Sequence, residues 1–117
     1  MSHTLQVEQL AGTGESHRIL RLQGALVLST LPHLQPLILE DVTPLLILDM
    51  AGVTVIDSAG IGTIVGAHIA RQKTDRRLAV VGMTERIRAQ FRIAHLDEVL
   101  TLFAGANDAI AALAPRS

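Results

Sequence analysis

The chain has 117 residues, 49% of them apolar, and a formal net charge of −1. That length can bury a core without disulfides or metals, and the near-neutral charge gives no broad attraction for nucleic acid. With no cysteine and only two aromatic residues, both Phe, thiolate chemistry is excluded and the core must be aliphatic.

The first seven residues lack a basic start and an apolar run, so no secretory signal is read there. No apolar stretch approaches the ~20 residues a membrane helix needs. One domain over residues 1–117 is therefore expected, cytoplasmic and without membrane insertion.

In chain order, Leu5 to Leu10 alternates weakly and reads as a first strand. Ala11 to Ser16, with Gly12, Thr13 and Gly14, reads as a turn. Arg18 to Leu22 is a second strand, stopping at Gly24 and antiparallel to the first. Leu31, Leu34, Leu37 and Ile38 recur at helical spacing. Ser29 or Thr30 is the expected cap, with Pro32 in the first turn. Pro36 falls in the second turn, which predicts a late or irregular helix start. Glu40, Asp41 and Pro44 end that segment.

The stretch Leu45 to Gln72 organises the rest. Leu45 to Leu48 is a continuous apolar run ending in Asp49, as a strand covered on both faces should be. A connector rich in Gly and β-branched residues is expected up to Ile56. After Ser58, the residues Ile61, Ile64, Val65 and Ile69, with His68, form the apolar series of an amphipathic helix. Gly60, Gly62 and Gly66 weaken that helix by roughly 1 kcal/mol each relative to Ala, which close helix–sheet packing would offset. Arg71, Gln72 and Lys73 place positive charge at the helix end, where the dipole favours it.

Leu78 to Gly82 is a further buried strand. Thr84 caps a helix over Glu85 to Ala94, with Ile87, Phe91 and Ala94 inward and Arg86, Arg88 and Arg92 outward. After a turn at Asp97-Glu98, a short strand is expected at Val99 to Leu102. A last helix spans Ala106 to Leu113, capped by Asn107 or Asp108 and stopped by Pro115. The order β-β-α-β-α-β-α-β-α predicts an α/β fold, a mostly parallel sheet with an antiparallel N-terminal edge strand and helices packed on it.

The chemistry concentrates at Asp57-Ser58-Ala59-Gly60, where strand gives way to helix. A hydroxyl there lies beside backbone N–H groups and the positive end of the helix dipole, so a phosphate on Ser58 would be tolerated. The competing reading is an ordinary N-cap serine, with Asp57 as the alternative cap. A nucleophile elbow is disfavoured because Ile56 occupies the position that needs glycine. The glycines Gly60, Gly62 and Gly66 match the Rossmann fingerprint only loosely, and the following strand ends Val81-Gly82-Met83 without the expected acid. No phosphate-loop motif is present. An enzyme, nucleotide-binding or hydrolytic, is therefore disfavoured, and no cofactor is expected. The histidines His3, His17, His33, His68 and His95 lack metal spacing, and His68 reads as a packed core residue. Arg86, Arg88 and Arg92 read as a solvated face and Asp49 as structural.

Leu45 to Gly62, LLILDMAGVTVIDSAGIG, resembles a STAS domain of the kind found in bacterial anti-sigma factor antagonists, with Asp57 to Gly60 at the family's D-S-x-G position. Arg18 to Gly24, Leu78 to Gly82 and Phe91 to Leu96 extend the resemblance over nearly the whole chain. It implies a STAS-type fold and a non-enzymatic role in partner switching. The unphosphorylated protein would bind an anti-sigma factor that is also a serine kinase, through Asp57, Ser58, Ala59, Gly60, Ile61 and Gly62. Phosphorylation at Ser58 would end that binding and a serine phosphatase would restore it, with ATP belonging to the kinase. A monomer or weak dimer is expected.

Two positions depart from the family pattern: Val27 stands where many kinase-regulated members carry an acid, and Ala59 where many carry a second serine. The alternative within the family is a docking module of a stressosome-type scaffold or of a lipid-transport ATPase, with Ser58 unmodified.

Overall fold

The computed structural model describes residues 3–11, 16–100 and 102–114. Strands β1 (Leu5–Ala11) and β2 (His17–Leu26) pair antiparallel. Strands β3 (Leu45–Ile56), β4 (Arg77–Val81) and β5 (Leu102–Phe103) then follow in parallel, giving one five-stranded sheet in the order β1-β2-β3-β4-β5. The helices are α1 (Gln35–Glu40), α2 (Ser58–Gln72), α3 (Glu85–Ile93) and α4 (Ala106–Leu113). The element order expected from the sequence is the observed one. Residues 12–15 of the expected turn, and Pro115, lie outside the described residues.

The period of two along each strand divides the core in two. Leu46, Leu48 and Met50 of β3, with Leu20, Leu22, Leu78 and Val80, face one side, where α1, α2 and α3 contribute Ile38, Ile64, Ala67, Ile87 and Phe91. Leu45 and Ile47, with Ala79 and Val81, face the other side and meet Ala109 of α4. Coverage on both faces explains the unbroken apolar run at Leu45 to Leu48. The second face turns polar towards β1. There Arg21 bridges Glu8 at 3.0 Å and Asp49 at 3.6 Å across three strands.

Several boundaries differ from the sequence reading. β3 does not end at Asp49; the expected connector is strand as far as Ile56, because Val53, Val55 and Ile56 pair with an equally prolonged β2. Gly24 does not stop β2 but sits within it at φ +111°, where a Cβ would lie 2.3 Å from the Thr4 carbonyl oxygen. The irregular helix start before Pro36 is present, as a 3-10 turn at Leu31–His33 followed by α1. Thr30 does not cap it by its side chain. Its hydroxyl donates to the Ala25 carbonyl at 2.7 Å and accepts from the Val27 N–H at 3.1 Å.

The inward face of α2 is Gly60, Ile64, Ala67, His68 and Arg71, with Ile61 and Val65 at its margin. Ile69, expected inward, is 45% exposed, because the helix turns its small residues and the Arg71 stem to the sheet. Ala94 is the exposed C-cap of α3 rather than a core residue. Val99 lies in an exposed turn, Thr101 of the expected strand lies outside the described residues, and the last strand is seen at Leu102–Phe103, an edge paired with Val80 and Val81. α4 is capped at Gly105 without a side-chain hydrogen bond, not by Asn107 or Asp108.

A buried ionic cluster closes the end of the sheet where β3 begins. Asp41 and Arg71 are 7% and 4% exposed and meet at 3.3 Å. Arg18 approaches the other Asp41 oxygen at 3.0 Å. Arg71 also donates to the carbonyls of Asp41, Arg77 and Thr43. Burial, opposed by the nearby Asp41 carboxylate, pulls the Arg71 guanidinium below its ordinary pKa.

Candidate functional site

The turn from β3 into α2 is built around Asp57. Its backbone is extended (φ −111°, ψ −178°), as an N-cap requires. One carboxylate oxygen, Oδ1, accepts from the Gly60 N–H at 2.9 Å. The other, Oδ2, accepts from the Leu28 N–H at 3.1 Å, and the Asp57 N–H donates to the Leu26 carbonyl at 3.3 Å. A single residue thus caps α2 and ties it to the loop that follows β2. The Gly60 N–H is the main cause of an Asp57 pKa below the ordinary 3.8; partial burial works against it, and the Leu28 and Ala59 N–H groups add to it.

Ser58 is the first residue of α2, exposed, and not the cap. Its hydroxyl makes no hydrogen bond among the described residues. The two roles weighed for the Asp-Ser pair are therefore divided: Asp57 holds the helix and Ser58 is left to solvent.

The remaining residues of the turn differ in what they can offer a partner. Gly60 is buried, and a Cβ on it would lie 2.4 Å from the Leu26 carbonyl oxygen and 2.8 Å from Ile56 Cγ1. It lets α2 start directly against the end of β2. Ala59 and Ile61 are half-buried and pack on the core, whereas Gly62 is exposed. Nothing lies within 4 Å of a Cβ built on Gly62 or Gly66, so of the three glycines only Gly60 serves helix–sheet packing.

Sequence reasoning missed the loop after β2. Leu28, 70% exposed, and Ser29 flank the Asp57 turn because the Leu28 N–H is bound to it. Gln90 of α3 also reaches the turn, donating to the Ile56 carbonyl at 3.3 Å. No local pattern marks contacts that span 29 and 34 residues. Val27, the position lacking the acid, is buried at the foot of this loop. The histidines and acids form no cluster of three or more able to hold a metal among the described residues. No helix among them is long and apolar enough to cross a membrane.

Solved structures share this fold. An anti-sigma factor antagonist from Mycobacterium paratuberculosis superposes with a TM-score of 0.77 at 20% identity, over 92% of this chain and 94% of that one. The Bacillus cell fate determinant SpoIIAA in its phosphorylated form gives 0.66 at 18% identity, over 92% and 97%. A sulfate transporter family protein from Wolinella succinogenes gives 0.74 at 19%, over 88% and 87%. At such identities the likeness is one of fold. No curated protein matches the chain by sequence. The sequence does match the STAS domain family model over residues 5–109. With that match added to the sheet order and the D-S-x-G turn, the chain belongs to the STAS domain family.

Proposed function

We propose that the chain is an anti-sigma factor antagonist, a non-enzymatic partner switch operated at Ser58. The observation that carries this reading is the division of labour at the turn: Asp57 and Gly60 fix the start of α2, and the Ser58 hydroxyl is exposed and makes no hydrogen bond among the described residues. A phosphate there adds about −1.5 to −2 charges beside a carboxylate that is already ionised. The first N–H groups of α2 favour that charge, so the fold tolerates it while a partner fitted to the bare turn meets repulsion and bulk. Leu28 supplies exposed apolar surface next to the switch. The partner in this reading is an anti-sigma factor with serine kinase activity, and a serine phosphatase reverses the modification. Likeness to anti-sigma factor antagonists, one of them in a phosphorylated form, supports it.

The test is incubation with a cognate anti-sigma factor kinase and ATP, read by intact mass. One added phosphate is expected, absent from Ser58→Ala, and the modified protein should lose the anti-sigma factor. Full binding by the phosphorylated protein would reject the switch. A second reading, a docking module of a transport or scaffold assembly with Ser58 unmodified, is favoured by two observations. One is the likeness in fold to the sulfate transporter family protein, which lies between those to the two antagonist structures. The other is the buried Val27 where many kinase-regulated members carry an acid. Co-purification with transporter subunits and no phosphate uptake would select it.

A further inference from the structure

A cavity of about 460 Å³ opens at the far end of α2 from Ser58. The helix has 15 residues, so at about 1.5 Å per residue the two ends are roughly 21 Å apart. The volume falls within the range of about 300–1,000 Å³ usual for small-molecule sites. His68, Gln72, Asp75, Arg76 and Arg77 line it, together with Leu78 of β4 and Leu113 of α4.

The lining is rich in hydrogen-bond donors the fold does not use. Arg77 has no ion-pair partner among the described residues. Arg76 commits Nη1 to the Asp41 carbonyl and Nε to Thr74, both at 2.9 Å, and leaves Nη2 over. The Gln72 amide makes no side-chain hydrogen bond among the described residues. His68 is buried, and its Nδ1, without a partner among the described residues, is sealed from solvent and so does not open to the cavity. Two guanidinium groups face one carboxylate, Asp75, so the wall is net positive. Three of the last four carbonyls of α2 accept backbone hydrogen bonds, which lessens their repulsion of an anion. Lys73 N–H donates to Ile69, Asp75 N–H to Gln72, and both Thr74 and Arg76 N–H to Arg71.

We propose that this cavity binds a small molecule through an oxyanion, a phosphate or a carboxylate. Arg77 and the free edge of Arg76 are its charge partners, the Gln72 amide its neutral hydrogen-bonding group, and Leu113 a contact for the uncharged remainder. The site is separate from the Ser58 turn and does not depend on the switch.

Amide NMR of the full ¹⁵N-labelled chain, titrated with sodium phosphate and in parallel with sodium acetate at constant ionic strength, tests it. Saturable shifts at residues 72–78 are expected with at least one anion, and which one identifies the class of headgroup. Arg77→Glu should weaken binding by about tenfold or more, as loss of a charge-assisted pair does, with the thermal midpoint unchanged. Gln72→Ala should weaken it less, and Ser58→Ala should leave it as in the parent. No saturable shift with either anion, equal binding by Arg77→Glu, or shifts confined to residues 58–61 would overturn the proposal.

Discussion

Asp57 and Leu28 are joined across 29 residues of sequence by a hydrogen bond of 3.1 Å from the Leu28 N–H to Asp57 Oδ2. Because Oδ1 of the same carboxylate caps α2, the loop after β2 and the start of the helix are held by one side chain. Asp57→Ala removes both bonds and should destabilise the fold by about 1–2 kcal/mol, the upper part of the range for a lost cap. Urea denaturation checks the loss. Amide exchange should show Leu28 and Gly60 losing protection together.

The same carboxylate sets a pH dependence. Its pKa in the fold lies below the ordinary 3.8, so as pH falls the unfolded chain takes up this proton first. The contribution of Asp57 to stability is therefore complete above the unfolded value and disappears as pH drops through the lower folded one. Thermal midpoints measured from neutral pH to about pH 3 should fall less steeply on acidification in Asp57→Asn than in the parent.

Ser58→Asp should leave stability within about 0.5 kcal/mol of the parent, as surface changes away from special features do. The residue is exposed, and the helix start favours negative charge. Calorimetry of the isolated chain reads this directly. Global unfolding of the variant would show that the hydroxyl has a structural duty and remove the basis of the switch.

The three glycines of α2 should respond in opposite directions. Gly60→Ala places a methyl 2.4 Å from a backbone carbonyl oxygen, and overpacking of this kind costs about 1–3 kcal/mol. Gly62→Ala and Gly66→Ala add a methyl in open space and should each stabilise by about 0.5–1 kcal/mol through helix propensity. Chemical denaturation of the three single variants separates the cases.

Arg71→Ala strips Asp41 of its most buried counter-ion and should cost about 3–5 kcal/mol, as breaking a buried pair does. The change leaves the carbonyls of Asp41, Thr43 and Arg77 without that donor. A loss below about 1 kcal/mol would mean that the pair behaves like an exposed one.

The order of elements was legible because strand and helix periods alternate along the chain, and the Asp-Ser turn because a covered strand ends just before it. The length of β3 was not. Gly52 and Thr54 read as punctuation, and only the prolonged β2 beside them supplies the partners that make residues 50–56 a strand. The rotation of α2 was hidden for a similar reason. Hydropathy favours Ile69 over Arg71 as the inward residue, yet Asp41, thirty residues away, gives the guanidinium a buried destination. Close packing was expected of Gly60, Gly62 and Gly66 alike and holds for Gly60 alone of the three, since a glycine in sequence carries no sign of what faces it.

β3 runs seven residues past the last one that pairs with β4, and along that overhang β2 is its one strand partner among the described residues. Ser58 thus follows a segment of β3 paired along one side, with the Gln90 amide donating to the Ile56 carbonyl at its tip. A protein clamped onto this promontory would damp its breathing, so capture of a partner should register as slowed deuterium uptake well down β3, beyond the footprint itself.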